Sequence, residues 1–334
     1  MKSPNTILSS VQLQPAMKYK LRISKLVRRL FLISFLLSLV YVSISMYVAM
    51  RVVSVAPLPV TQTPAAFNLA FRDVTFPSRE DHLKIRGWFI PGMLANGHLT
   101  TERTLILVHG LHSNRASPLL LGLSANLARR GFAILDIDLR GHGQSAPAPL
   151  SMGYFEQRDV LGAVDFLHSG TLPYPELGRP RFIGGWGDSM GGATMLLAAS
   201  HEPALKAIIT DSAFAAIVPL LKESNVPPLF LPGVLESIRA LYGINYYTVR
   251  PVDVVAEIAP RPILFIQGTA DTVVPPDNMH ELASAAMDTR HADVHTWLVS
   301  GANHIESFQR MGTVYVDRVA KFFTAALVPP TAGR

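Results

Sequence analysis

A chain of 334 residues without a single cysteine is long enough to bury a full core, and it has no disulfide scaffold, no thiolate metal site and no cysteine nucleophile. Its formal net charge of +6 is unevenly placed: residues 1–56 carry eight of the thirty lysines and arginines and none of the twenty-four acids, which leaves the remainder slightly acidic. That asymmetry argues against a nucleic-acid-binding domain, which needs its positive charge on the folded surface.

The first predicted element is the uncharged run "LFLISFLLSLVYVSISMYVAM" at 30–50, which has neither glycine nor proline. At helical rise it extends about 31 Å, one hydrocarbon thickness. Lys18, Lys20, Arg22, Lys25, Arg28 and Arg29 precede it and only Arg51 follows closely. Positive charge stays on the cytoplasmic side, so the expectation is a single-pass membrane anchor with a basic cytoplasmic tail over 1–29 and the remaining chain on the extracytoplasmic side. A cleaved signal peptide is the alternative. "SVA" at 54–56 has the small residues that cleavage wants, but Pro57 follows it and the apolar run is longer than a signal core. Residues 51–68 then read as a linker: "APLPVTQTPAAFN" has three prolines and no charge.

From residue 69 onward short β-like runs alternate with amphipathic stretches. "NLAFRDVTF" and "LKIRGWFI" read as two strands around a turn at "SRED", and "TLILVHG" as a buried central strand. "SPLLLGLSANLARRG" has helical spacing with Gly131 as a terminating residue. Then follow "AILDIDLRG" (strand), "FEQRDVLGAVDFLHSG" (helix), "RFIGGWG" (strand), "SMGGATMLLAAS" (helix), "LKAIITDSA" (strand), "RPILFIQG" (strand), "DNMHELASAAM" (helix), "VHTWLVS" (strand) and "RVAKFFTAAL" (helix). This alternation predicts an α/β domain over 69–330, a mostly parallel sheet with helices on both faces. Residues 213–252 are too long for an ordinary crossover and are rich in proline and large apolar residues, which predicts a small helical cap.

Five glycines crowd one serine in "FIGGWGDSMGG". Gly187-x-Ser189-x-Gly191, between an apolar strand and a small-residue helix, predicts a tight turn that exposes Ser189 as a nucleophile. A serine hydroxyl needs a base, and the base an orienting acid. Asp271 stands just beyond "ILFIQG" and His304 just beyond "VHTWLVS", both at strand ends and in the order Ser, acid, His. Asp211 is the runner-up for the acid. Asp188 is expected to point elsewhere, and Asp136 and Asp138 to be structural. Met190 N–H is one candidate oxyanion donor. The second is Leu111 N–H, on a loop held close by His109 and Gly110. His112 is a candidate substrate contact, while Arg140 and His142 in "DLRGHGQS" read as architectural. The chain has no His-Glu-x-x-His, no Walker lysine and no Gly-x-Gly-x-x-Gly after its first strand, so no metal or organic cofactor is expected.

"LILVHGLHSN", "DLRGHGQS", "GDSMGG", "GTADTVVP" and "GANH" resemble, in order, the successive landmarks of the α/β-hydrolase superfamily over residues 70–327. Within it the chain is similar to membrane-anchored serine hydrolases of the lysophospholipase, acyl-thioesterase and serine-aminopeptidase-like groups. The resemblance implies esterase-like activity, with Ser189, Asp271 and His304 as triad and Leu111 and Met190 as oxyanion donors. "HGLH" departs from the His-Gly-Gly-Gly of many lipases. The expected substrate is a carboxylic acyl ester, lipid-like esters included. The alternatives are an aminopeptidase or amidase, for which Glu223 or Glu236 would supply an acidic pocket, and a non-catalytic binding protein of the same fold.

Overall fold

The computed structural model describes residues 25–222 and 226–328; Lys18, Lys20, Arg22 and Glu223 lie outside the described residues. Residues Ile44–Arg334 form one compact unit. Its strands are β1 (Arg72–Pro77), β2 (Lys84–Ile90), β3 (Gly92–Met93), β4 (Leu99–Thr100), β5 (Arg103–Val108), β6 (Ala133–Asp138), β7 (Phe182–Asp188), β8 (Leu205–Asp211), β9 (Ile263–Gly268) and β10 (Val294–Val299). Eight of them make one sheet in the order β1-β2-β6-β5-β7-β8-β9-β10, and β3 and β4 pair separately. β1 and β2 are antiparallel to their neighbours; from β6 to β10 every pairing is parallel.

The continuous apolar runs become central strands because both faces of the sheet are covered. Along β5 the side chains alternate between two cores: Ile106 and Val108 enter one, Leu105 and Leu107 the other. The helices are α1 (Lys25–Val52), α2 (Pro118–Ala128), α3 (Gln157–His168), α4 (Met190–His201), α5 (Ile217–Lys222), α6 (Leu231–Tyr242), α7 (Pro251–Val254), α8 (Asp277–Met287), α9 (Ser307–Met311) and α10 (Thr313–Ala326). The first core is covered by α3, α4 and α8, the second by α2 and α10.

Local chemistry sets the boundaries. α2 starts at Ser117, whose hydroxyl accepts from Leu120 N–H, with Pro118 in the first helical position where no N–H is needed. It ends at Ala128, three residues before Gly131, whose left-handed φ of 85° turns the chain into β6. The first strand begins at Arg72, four residues later than the expected run, because Pro64–Phe67 form a 3₁₀ turn closed by left-handed Asn68. The 213–252 insertion holds α5 and α6 and ends in the first turn of α7. On α6, Leu231, Val234, Leu235 and Ile238 recur at helical spacing and are buried, each worth about 1.5–3 kcal/mol relative to exposure.

α1 is 28 residues long, and large apolar side chains such as Phe31, Leu37 and Tyr47 are exposed on it. By length and composition it is sufficient to cross a membrane. Its last turns behave differently. Ala49 and Val53, four residues apart, are buried in the first core, and Val53 C=O accepts from Leu150 N–H at 2.9 Å. Farther along, Asn114 Nδ2 donates to Leu58 C=O at 2.9 Å. Segment 51–68 is thus tied to the rest of its compact unit at both points.

Candidate active site

Ser189 occupies the turn between β7 and α4 with φ 50° and ψ −121°, a backbone region that costs a non-glycine residue about 1–3 kcal/mol. The surroundings impose it. Ser189 N–H donates to Asp211 C=O at 2.8 Å, and Ser189 C=O accepts from Ala193 N–H at 3.1 Å. β7 and α4 approach so closely that a Cβ on Gly187 would strike the Gly191 carbonyl, and α4 lies so close to the end of β5 that a Cβ on Gly191 would strike the Val108 and His109 carbonyls. The glycines around the serine are therefore a packing requirement, and the outcome is a hydroxyl presented at the C-terminal edge of the sheet.

Two further residues meet it there. His304 Nε2 lies 2.9 Å from Ser189 Oγ, and His304 Nδ1 lies 2.8 Å from Asp271 Oδ2. Burial opposes ionisation of Asp271. Hydrogen bonds from His304 and from the N–H groups of Val274 and Val273 outweigh it, and the carboxyl is held below its ordinary value. An ionised Asp271 only accepts, so Nδ1 of a neutral His304 carries the proton and Nε2 is left as the acceptor for the serine O–H. Gln267 Nε2, fully buried at the end of β9, also donates to Asp271 Oδ2, at 2.8 Å.

The sequence profile of the family described as "Serine aminopeptidase, S33" matches residues 100–242. The uncharacterized protein YfhR of Escherichia coli K12 is 27% identical over 255 residues, covering 75% of this chain and 80% of its own. An α/β-hydrolase domain-containing protein of Arabidopsis thaliana, WAV2, is 26% identical over 76% of this chain and 78% of its own. Among solved structures, a Pyrococcus furiosus esterase superposes with a TM-score of 0.66 at 22% identity, covering 83% of this chain and all of that one. The chain has the α/β-hydrolase fold.

On this fold the candidate oxyanion groups flank the serine. Met190 N–H is the first of α4 and Leu111 N–H lies on the loop after β5; neither has a protein partner among the described residues. Two buried groups fix that loop. His109 accepts from Leu139 N–H through Nε2 and therefore donates through Nδ1 to Gly110 C=O. Burial, with His142 and Arg115 nearby, lowers its pKa to about 3 and keeps it neutral. Asp188 Oδ2 accepts from Gly110 N–H at 3.1 Å, and a Cβ on Gly110 would lie 2.7 Å from that same oxygen. His112, next in the loop, has φ 54° and an exposed side chain that lines the cavity above Ser189.

That cavity measures about 500 Å³. Leu111, Met152, Phe214, Ile217, Leu220 and Val273 give it apolar walls, several of them from the insertion. Glu236 is exposed on α6 and does not line it. The other acids have structural partners. Asp211 accepts from Tyr315 Oη at 3.0 Å and Ser307 Oγ at 3.1 Å, and makes no hydrogen bond to His304. Asp136 accepts from Ser124 Oγ, and Asp138 pairs with Arg115. Arg140 is paired to Asp159 and Asp81, and His142 Nδ1 bonds Arg140 C=O. Sequence reasoning missed Gln267 and Gly268. The signal for the first was a lone amide ending an otherwise apolar strand. For the second it was a glycine whose Cβ would meet the Ala302 carbonyl on the loop that carries His304.

Proposed function

We propose that this chain is a membrane-anchored serine hydrolase that cleaves carboxylic acyl esters through Ser189, His304 and Asp271. The observation that carries the reading is the unbroken hydrogen-bonded relay from Asp271 Oδ2 through His304 to Ser189 Oγ, at 2.8 and 2.9 Å. Ser189 Oγ attacks the acyl carbon as His304 Nε2 takes its proton, and ionised Asp271 stabilises the imidazolium. The N–H groups of Met190 and Leu111 receive the negative charge that develops on the acyl oxygen. His304 then protonates the departing alkoxide. Water, deprotonated in turn by His304, cleaves the acyl-enzyme and returns the proton to Ser189. The apolar cavity suits an acyl chain, and the P. furiosus structural neighbour is an esterase.

The organisation we propose places a basic tail over 1–29 in the cytoplasm, a membrane span over 30–50, a connection over 51–68 and the hydrolase over 69–330, with its cap at 213–252, on the extracytoplasmic side. The profile's description keeps an aminopeptidase as the second reading. A substrate with a free amine wants an uncommitted carboxylate in its pocket. Among the described residues the cavity offers only Asp188, which is engaged by Gly110.

A fluorophosphonate probe should label the full chain and fail to label Ser189→Ala, with hydrolysis of p-nitrophenyl butyrate lost in parallel. Full activity in that variant rejects the mechanism. Faster turnover of aminoacyl nitroanilides than of esters would favour the amidase reading, and an unlabelled wild-type chain would favour a non-catalytic binding protein.

A further inference from the structure

A second cavity, of about 410 Å³, adjoins the one above Ser189. The two share Leu111, His112, Met152 and Leu221 as walls. The far side of the second is formed by Arg51, Val52 and Ser54, where α1 ends, together with Tyr246. This wall is fixed in place: Ala49 and Val53 on either side of Arg51 are buried in the core, and Val53 C=O is bonded to Leu150 N–H. Arg51 has no carboxylate partner among the described residues.

An ester has two arms that diverge from one acyl carbon. Resting on the esterase reading, that carbon sits between Ser189 Oγ and the N–H of Leu111. Leu111 and His112 border both cavities, so one arm faces each. The first cavity has aliphatic and aromatic walls and takes the acyl arm. The second has a guanidinium without a carboxylate partner among the described residues, the Ser54 hydroxyl and the His112 ring, a set suited to a polar and negatively charged arm. Arg51 is also the first charged residue after the apolar run of α1, the level at which a spanning helix meets charged lipid head groups.

We propose that the end of α1 is part of the substrate site: the second cavity holds the alcohol half of an acyl ester that bears a phosphate, and Arg51 pairs with that phosphate. The anchoring helix thereby selects substrate as well as position. Short acyl esters, monomeric in solution, separate this pairing from general attraction to a charged surface. With the full chain in neutral detergent, 1-hexanoylglycerol 3-phosphate is compared with 1-hexanoylglycerol and methyl hexanoate. The wild type is expected to favour the phosphate ester. Arg51→Gln should lower the kcat/KM ratio of phosphate ester to neutral glycerol ester about fivefold, chiefly through KM, and Arg51→Lys should restore part of it. Ser54→Trp, which fills the cavity without removing charge, should depress both glycerol esters relative to methyl hexanoate. Ratios unchanged in Arg51→Gln and Ser54→Trp, in enzymes that still hydrolyse all three esters, overturn the assignment and leave the esterase reading intact. A wild-type chain that hydrolyses none of them overturns the reading on which it rests.

Discussion

Two carboxylates stand at the ends of neighbouring parallel strands, both buried, and the fold treats them oppositely. Asp271, after β9, accepts two backbone N–H groups, a glutamine amide and the His304 ring, and is held below its ordinary pKa. Asp211, at the end of β8, is raised to about 6: burial dominates, and hydroxyl donors from Tyr315, Ser307 and Ser212 only partly counter it. The contrast teaches that position at the sheet edge does not make an orienting acid. Donors that favour the charged form do, and only one of the two carboxylates reaches the imidazole.

The most severe way to break that contrast is Asp271→Asn. An amide in that place can present N–H to His304 Nδ1 and favour the wrong tautomer, leaving Nε2 protonated toward the serine. Ester turnover should fall about 10³- to 10⁴-fold in kcat, while the melting temperature changes far less. Asp211→Ala tests the other side. It strips the acceptor from Tyr315 and Ser307, two donors in the core, and should cost about 1–3 kcal/mol in stability by denaturant titration. Its loss of kcat should be much smaller than that of Asp271→Asn. Equal kinetic losses in the two variants would mean that the distinction between them is misdrawn.

This difference marks where the sequence ceases to be readable. The elbow was legible because its requirement is local: Gly187, Gly191 and Gly192 must be small where a strand turns into a helix. Asp271 and His304 were legible because each follows a predicted strand, the continuous apolar "ILFI" in one case and "VHTWLV" in the other, and strands of a parallel sheet end on one edge. The choice of Asp271 over Asp211 rests on partners that come from distant segments. Tyr315 on α10 and Ser307 on α9 engage Asp211, and nothing near Asp211 in sequence announces them. The docked end of α1 was hidden for a different reason. A helix that is apolar all round has no periodic face, so the small residues Ser45 and Ala49 and then Val53 did not stand out as the buried ones.

Gln267 sharpens the comparison at intermediate cost. Its amide donates both to Asp271 Oδ2 and to Val274 C=O, tying the acid to the loop that also supplies two N–H donors. Gln267→Leu keeps the volume and removes the donor, so kcat should fall about tenfold. Because Asp271 would lose a bond to its charged form, the acidic limb of the kcat/KM profile should also move to higher pH. A merely structural role for Gln267 would lower stability without moving that limb.

The smallest effect concerns stability against pH. Asp188 is raised to about 8, by burial first and by the neighbouring Asp211 second. In the unfolded chain such a group ionises near 4. Between that value and its folded value the folded protein keeps a proton that the unfolded chain has released, so rising pH favours unfolding throughout the window. Asp211 adds the same sign up to about 6. Asp271 has the opposite sign: its contribution is complete above the ordinary carboxyl value and is lost only as pH falls through its lower folded value. Asp188→Asn retains an oxygen acceptor for Gly110 N–H and cannot ionise. Its melting temperature should therefore decline less than that of the wild type between pH 6 and 8, where Asp211 no longer contributes, whereas Asp271→Asn should keep the wild-type slope. Parallel curves for Asp188→Asn and wild type would show that the group beneath the Leu111 loop is not a proton-holding carboxyl, and that the loop is held by the acceptor alone.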